Sequence, residues 1–210
     1  LETGFTGLLT AAVFLPAAGA VSILLLVRGD RNIRVVAAMV ALADLVLTLV
    51  VLTTFSRDDG AQRFQFIDYF TWIPGETLQA NYILGVDGLS APLVALTGIL
   101  GLCAVLASWN IKTRVREHFV WLLILQTAVM GVFSSLDLLL FFLFWELELV
   151  PMYMLIAIWG TGRKEYSAMK FLMFTILGSA FMLVAIVAVF LTPEVGTFDM
   201  RALSTSGTML

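Results

Sequence analysis

Charged residues are scarce in this chain. Of its 210 residues, 13% are charged and 60% are hydrophobic, whereas soluble proteins average about 25% charged and about 45–50% apolar residues. A soluble fold of this size could not bury so much apolar surface, and a disordered chain requires low hydrophobicity. The composition therefore excludes a water-soluble enzyme and a disordered protein, and it indicates a chain that lies mostly in lipid.

Cysteine and cofactor-binding motifs are also lacking. Cys103 is the single cysteine, so the chain can form neither an internal disulfide nor a cysteine metal cluster. Gly85, Gly88 and Gly101 do not make a dinucleotide fingerprint, and no metal-ligand spacing occurs. We therefore expect no cofactor and no metal on this chain, and no nucleic acid among its partners. The chemistry that remains is the movement of an ion.

Long uncharged runs are what the sequence does contain. Twenty-five residues without a charge separate Glu2 from Arg28, and 24 separate Asp87 from Lys112. A helix needs about 20 residues to cross the hydrocarbon core, so the sequence predicts an all-α, polytopic membrane protein. The six predicted spans are 5–27, 35–55, 89–109, 118–136, 138–160 and 169–191.

The basic residues predict the orientation of these spans. Nine of the 12 Lys and Arg residues lie in the segments 28–34, 110–117 and 161–170, which alternate to one side of a six-helix chain. Lys and Arg favour cytoplasmic loops. We therefore expect the N-terminus, the loop 56–88 and the C-terminal tail on the opposite side.

The loop 56–88 is the one long connection. Its segments 63–67 (RFQFI) and 81–84 (NYIL) favour β-structure, and Pro74-Gly75 between them is a turn signal. The sequence predicts a small β-hairpin on the outer surface. Ser90 is the expected N-cap of the helix that follows.

Carboxylates inside the spans are the candidate functional residues. A charge at mid-bilayer costs about 2.5–3.5 kcal/mol or more unless it faces protein or water, yet Asp44, Glu146 and Glu148 lie deep in predicted spans. Glu146 lies about 12 Å into helix five, and Glu148 is turned about 200° from it. Each is interpreted either as a proton-carrying carboxylate or as a structural one. Lys170, at the start of helix six, is either a snorkelling anchor or a cation in an ion path.

Three motifs resemble one family. The run 138–160 (LLLFFLFWELELVPMYMLIAIWG) is similar to the fifth helix of antiporter-like subunit M of complex I, the NADH:quinone oxidoreductase, and of the D-type counterpart in the photosynthetic complex. The runs 85–92 (GVDGLSAP) and 166–175 (YSAMKFLMFT) are similar to the motifs at the family's third and sixth helices, in the same order.

This resemblance implies a role for each candidate. Glu146 matches the family's helix-five glutamate and Lys170 its helix-six lysine, both in a path that moves protons as distant quinone reduction drives it. Glu148 matches the photosynthetic-type variant, and Asp44 stays a candidate of unknown role. The resemblance further implies that quinone, flavin and iron–sulfur clusters lie on partner subunits. The implied partners of this chain are other membrane-arm subunits, the lipid bilayer, protons and internal water.

The resemblance also implies a domain organisation. We expect residues 1–110 to form three leading helices with the outer hairpin, and residues 111–210 to form the first three helices of the first antiporter-like repeat and a C-terminal tail. The family's subunit has more than twice as many helices, so we expect an N-terminal fragment. The expected location is a bacterial plasma membrane, or else a thylakoid or other energy-transducing membrane.

Three other functions remain open from the sequence. A subunit of a multi-subunit Na⁺/H⁺ antiporter would share the fold and the helix-five glutamate. An independent secondary transporter would need a polar substrate cluster, which the sequence does not show. A membrane scaffold that does not pump would have no need of Glu146.

Overall fold

Six long helices form the body of the protein. The structure is a computed structural model that describes residues 7–56, 63–73, 80–192 and 196–206. The helices are α1 (Leu8–Leu25), α2 (Asp30–Thr54), α3 (Ser90–Ala107), α4 (Val115–Ser134), α5 (Leu138–Trp159) and α6 (Lys164–Phe190), with strands β1 (Gln65–Ile73) and β2 (Ala80–Val86) and a short helix α7 (Met200–Ser206). All six long helices are long and apolar enough to cross a membrane, which confirms the predicted spans.

Three helices begin earlier than predicted. The helices α2, α4 and α6 start at Asp30, Val115 and Lys164, three to five residues before the predicted spans. A charge-free run marks the part of a helix that lies in hydrocarbon, whereas the helix itself continues into the headgroup region, where charged side chains are solvated. Five of the nine basic residues therefore lie in helical turns, and four remain in the connections. The five are Arg31, Arg34, Arg116, Lys164 and Lys170, and the four are Arg28, Lys112, Arg114 and Arg163.

Helix α4 lies at the centre of the bundle. It packs against α1, α2, α3 and α5 and is the most buried of the six, whereas α6 packs against α5 and is the least buried. Close approach of α4 and α5 depends on Gly131, because a Cβ there would lie 2.2 Å from the ring of Phe144. The residues 135–137 join these two helices, as the short connection in the sequence requires.

Two apolar clusters fill the bundle, one towards each side of the membrane. We call the side that carries the hairpin the outer side. The outer cluster comprises Leu9, Val13, Val51, Leu84, Val86, Ala91, Val94, Met130, Leu140 and Phe144. The inner cluster comprises Ala20, Ile23, Ile33, Ala37, Ala41, Val105, Val115, Phe119, Val120 and Leu123.

The predicted hairpin is confirmed, and it is larger than expected. Strands β1 and β2 pair antiparallel, while the predicted turn at Pro74-Gly75 lies outside the described residues. Leu136 N donates to Ile83 O, and Met200 N donates to Leu136 O. The hairpin thereby continues through residues 135–137 to residues 198–200. We call these four segments the outer platform.

Asp68 connects the platform to α1. Its side chain is fully buried and accepts hydrogen bonds from Gly7 N (2.7 Å), Thr10 N (3.0 Å) and Thr10 Oγ1 (2.8 Å). Tyr82 OH donates to the same threonine hydroxyl at 3.1 Å. A carboxylate supplied by the hairpin thus satisfies two of the backbone amides at the start of α1.

The start of α3 corrects one prediction. The capping carboxylate is Asp87, which accepts from Leu89 N at 3.0 Å and Ser90 N at 2.7 Å, while Ser90 Oγ accepts from Asp87 N. Burial acts to raise the pKa of Asp87, but these hydrogen bonds and the positive charge of Arg63 together outweigh it and hold the pKa below its ordinary value. A carboxylate competes better than a hydroxyl for two backbone amides because its hydrogen bonds are charge-assisted.

Candidate functional site

Asp137 fixes the start of the helix that carries two of the candidate carboxylates. Its Oδ1 accepts from Leu139 N at 2.9 Å and Leu140 N at 3.0 Å, which makes it the N-cap of α5. Burial raises the pKa of Asp137, and the negative charge of Asp199 adds to this, against the opposing effect of the backbone hydrogen bonds. The α5 helix then runs unbroken through the buried Pro151 to its last residue.

Glu146 is held by α5 near the middle of the membrane. It lies eight residues after the helix start, which is about 12 Å from the outer end. Its side chain is half-buried, and Oε1 is buried without a hydrogen-bond partner among the described residues. Glu148 is half-buried too, on a different side of the same helix. The two carboxylates thus share a depth without sharing a face.

Lys170 lies farther into its helix than the sequence predicted. Because α6 begins at Lys164, Lys170 follows the start by about 9 Å; its side chain is exposed, with Nζ 5.1 Å from the centre of the Tyr166 ring. Glu146 is about 20 Å from the inner end of α5, so the two depths differ by about 10 Å. Among the described residues the ion pairs are Arg114–Glu117 and Arg201–Asp199. The described part of the chain does not pair Lys170 with Glu146.

Asp44 has a partner that the sequence analysis missed. It is fully buried in α2, and Gln126 Nε2 of α4 donates to its Oδ2 at 2.6 Å. The signal was present in the sequence, because Gln126 is an amide in the middle of an apolar span and Gly101 lies in the helix between. A Cβ on Gly101 would lie 2.4–2.5 Å from the Gln126 amide group, so glycine there makes room for the bond.

The described residues offer no cluster of three His, Cys, Asp or Glu side chains able to hold a metal ion. Cys103 is exposed on α3. In the described part of the spans, the candidate groups for chemistry are therefore single carboxylates and hydrogen-bonding side chains on the helices.

Comparison with known proteins follows this geometry. Residues 135–209, which include α5 and α6, match the family model described as NADH:quinone oxidoreductase/Mrp antiporter, transmembrane. Over 93% of its length, the chain is 42% identical to NAD(P)H-quinone oxidoreductase chain 4 of Picosynechococcus and 38% identical to NADH-quinone oxidoreductase subunit M of Rhodobacter capsulatus. The chain is similar to these quinone oxidoreductase subunits over most of its own length.

A solved structure shows the same fold. A chain of respiratory complex I from Thermus thermophilus superposes on 93% of this chain, with a TM-score of 0.78 and 24% sequence identity. The present chain spans 36% of the length of the Picosynechococcus protein and 38% of the length of the Rhodobacter and Thermus chains. The resemblance drawn from the three motifs is confirmed, and the protein is an integral membrane protein with six candidate spans.

Proposed function

We propose that this chain is part of a membrane-arm subunit of an NADH, ferredoxin or NAD(P)H:quinone oxidoreductase, and that it translocates protons through Glu146. The observation that carries the proposal is a half-buried carboxylate at mid-membrane whose Oε1 lacks a partner among the described residues. An ionisable group at that depth is a functional-site hypothesis by default. The relatives, named as quinone oxidoreductase subunits, support the same assignment.

The chemistry follows from electrostatics. Burial disfavours the charged form of a carboxyl group, and a nearby ammonium favours it. A cation that approaches Glu146 would release its proton, and withdrawal of that cation would let the carboxylate take a proton again. Lys170 is the proposed cation of the inner half of this path, and Glu148 is a second carboxyl station of the path. We also propose that quinone, flavin and iron–sulfur chemistry belongs to partner subunits.

The variant Glu146→Gln tests this function. In the complete complex, reconstituted in vesicles, we expect proton uptake per quinone reduced to fall to background, because the amide cannot take up and release a proton. Glu146→Asp, which keeps a carboxyl group, should retain part of the uptake. The measurement is vesicle acidification alongside the rate of quinone reduction.

A matched control is available on the neighbouring helix. Glu165 is exposed in the first turn of α6, so Glu165→Gln removes the same charge outside the bundle and should leave proton uptake at the wild-type level. Wild-type uptake by the Glu146→Gln complex would refute the proposal.

One other function has specific support. The family model covers Mrp antiporters as well as quinone oxidoreductases, so a subunit of a multi-subunit Na⁺/H⁺ antiporter is the second candidate. Co-purification decides between them: association with quinone-reducing subunits supports the oxidoreductase, whereas sodium-driven proton movement without quinone reduction supports the antiporter.

A further inference from the structure

A layer of polar side chains separates the two apolar clusters of the bundle. In α2, Asp44 and Thr48 lie between Ala41 of the inner cluster and Val51 of the outer cluster, and both are fully buried. In α4, Gln126 lies between Leu123 and Met130 of the same clusters. The layer therefore lies at the centre of the membrane, apart from the α5 carboxylates, in the described part of the chain.

The Asp44–Gln126 hydrogen bond leaves one oxygen of each side chain unsatisfied, and Thr127 Oγ1 beside Gln126 is also buried without a partner among the described residues. Thr48 Oγ1 donates to Leu45 O, so it is bonded within its own helix. Gln126 Nε2 donates to Asp44 Oδ2 at 2.6 Å, but Asp44 Oδ1 and Gln126 Oε1 are both buried without partners among the described residues. Both are acceptors, and buried polar groups are normally bonded. Because the two side chains already meet through Nε2 and Oδ2, one proton on the carboxyl group can supply the donor that both oxygens lack.

We propose that Asp44 and Gln126 form a proton-binding site in which Asp44 is a neutral carboxylic acid. A proton on Oδ1 is donated to Gln126 Oε1, while Gln126 Nε2 donates to Oδ2, so the acid and the amide are joined by two hydrogen bonds in one ring. The ligand is a proton, and all four polar atoms are then paired.

Charge balance in the surroundings supports the neutral form. Asp44 is fully buried in α2, which packs against α1, α3 and α4, and an ionised carboxylate there would need a cation. The described span of α1 carries no titratable side chain, and α3 carries only the exposed Cys103. The other titratable residues of α2 and α4 are grouped at the inner ends of these helices: Asp30, Arg31, Arg34, Arg116, Glu117 and His118.

The nearest of these cations along α2 is occupied elsewhere. Arg34 is ten residues from Asp44, about 15 Å along the helix, and its Nη2 donates to Ile111 O at 2.8 Å. A hard metal cation fits no better, because Ca²⁺ for example takes about six to eight oxygen ligands. A proton satisfies the two free oxygens with one atom.

The surrounding backbone is shaped to this pair. Gly98 and Gly101 are on one face of α3, and a Cβ at either position would lie 2.4 Å from Thr48 Oγ1 or from the Gln126 amide group, respectively. Both glycines let polar side chains of α2 and α4 meet directly against α3. The site is therefore built from three helices, and it does not depend on the function proposed for Glu146.

Infrared difference spectroscopy tests the assignment in the complete complex, with ¹³C in the aspartate side chains. The difference between wild type and Asp44→Asn should contain the C=O band of one protonated carboxylic acid at neutral pH. Asp30→Asn, the same change at the exposed start of α2, should show carboxylate bands alone. If the difference spectrum for Asp44→Asn contains carboxylate bands alone, Asp44 is ionised and the proposal is overturned. The same conclusion holds if added sodium shifts those bands.

A second variant covers the case in which Asp44→Asn does not assemble. Gln126→Leu keeps the acid and removes its partner, so the acid band should move to higher frequency as its hydrogen bonds are lost. A difference spectrum between wild type and Gln126→Leu with no feature in the carboxylic-acid region would overturn the pair.

Discussion

Three glycines determine where individual side chains of this bundle can lie. Gly98, Gly101 and Gly131 each face an atom that a Cβ would approach to within 2.4 Å. Two of these contacts admit polar groups and the third admits the Phe144 ring. Small residues let helices approach closely in membranes, where packing rather than hydrophobic burial drives association. At these positions glycine determines which helices touch.

Gly131→Ala should therefore destabilise the protein. The added methyl group would lie 2.2–2.5 Å from the Phe144 ring, so α4 and α5 must separate or the ring must leave its position. Overpacking of this kind costs about 1–3 kcal/mol. The expected result is a lower thermal unfolding midpoint of the detergent-solubilised complex.

Gly178 in α6 provides the matched control. Nothing lies within 4 Å of a Cβ at that position, and alanine is favoured over glycine in a helix by about 0.5–1 kcal/mol. Gly178→Ala should leave the unfolding midpoint unchanged or raise it slightly. An equal loss of stability in both variants would contradict the packing argument.

At the scale of single elements, the start of α5 depends on one aspartate. Asp137 caps the helix with Oδ1 and is buried. Asp137→Ala should cost about 0.5–2 kcal/mol, the usual range for a lost N-cap. Asp137→Asn keeps an oxygen that can accept the same two amide hydrogens and should retain the cap.

The pH dependence of the Asp137→Asn variant carries a definite sign. The pKa of Asp137 is raised from its ordinary value of 3.8 in the folded protein, so folding favours its protonated form. The contribution of Asp137 to the free energy of unfolding is therefore lost as the pH rises through the raised pKa, whereas asparagine does not titrate. Across acidic pH, the unfolding midpoint of the wild type should fall relative to that of Asp137→Asn as the pH rises. A constant difference would contradict the raised pKa.

Sequence patterns predicted most elements, for identifiable physical reasons. Uncharged runs marked the six spans because lipid excludes charge, and alternating residues with a turn signal marked the hairpin. Pairing of residues 135–137 with 198–200 was not predicted, since backbone hydrogen bonds between distant segments leave no trace in side-chain pattern. Gln126 stood out in the sequence as an amide in an apolar span, but its pairing with Asp44 could not be predicted, because a single sequence does not say which faces of α2 and α4 meet.

At the scale of the whole molecule, the basic residues predict which side faces the cytoplasm. In a Cys103→Ala background, a cysteine replacing the exposed Asp30 should react with a membrane-impermeant maleimide in inside-out vesicles, and one replacing the exposed Phe70 of β1 in intact cells. Each site should be protected in the opposite preparation, because the bilayer blocks the reagent. The reverse pattern would contradict the positive-inside assignment.

The outer platform imposes an order on biosynthesis. Strands β1 and β2 precede α3, residues 135–137 lie between α4 and α5, and residues 198–200 follow α6. Residues 198–200 can therefore join the sheet only after the sixth helix has been inserted into the bilayer. Until then, residues 135–137 lack one of their two backbone neighbours. Completion of this small sheet therefore requires that α3 to α6 cross the bilayer in alternating directions, and one helix that failed to cross would leave its edge open.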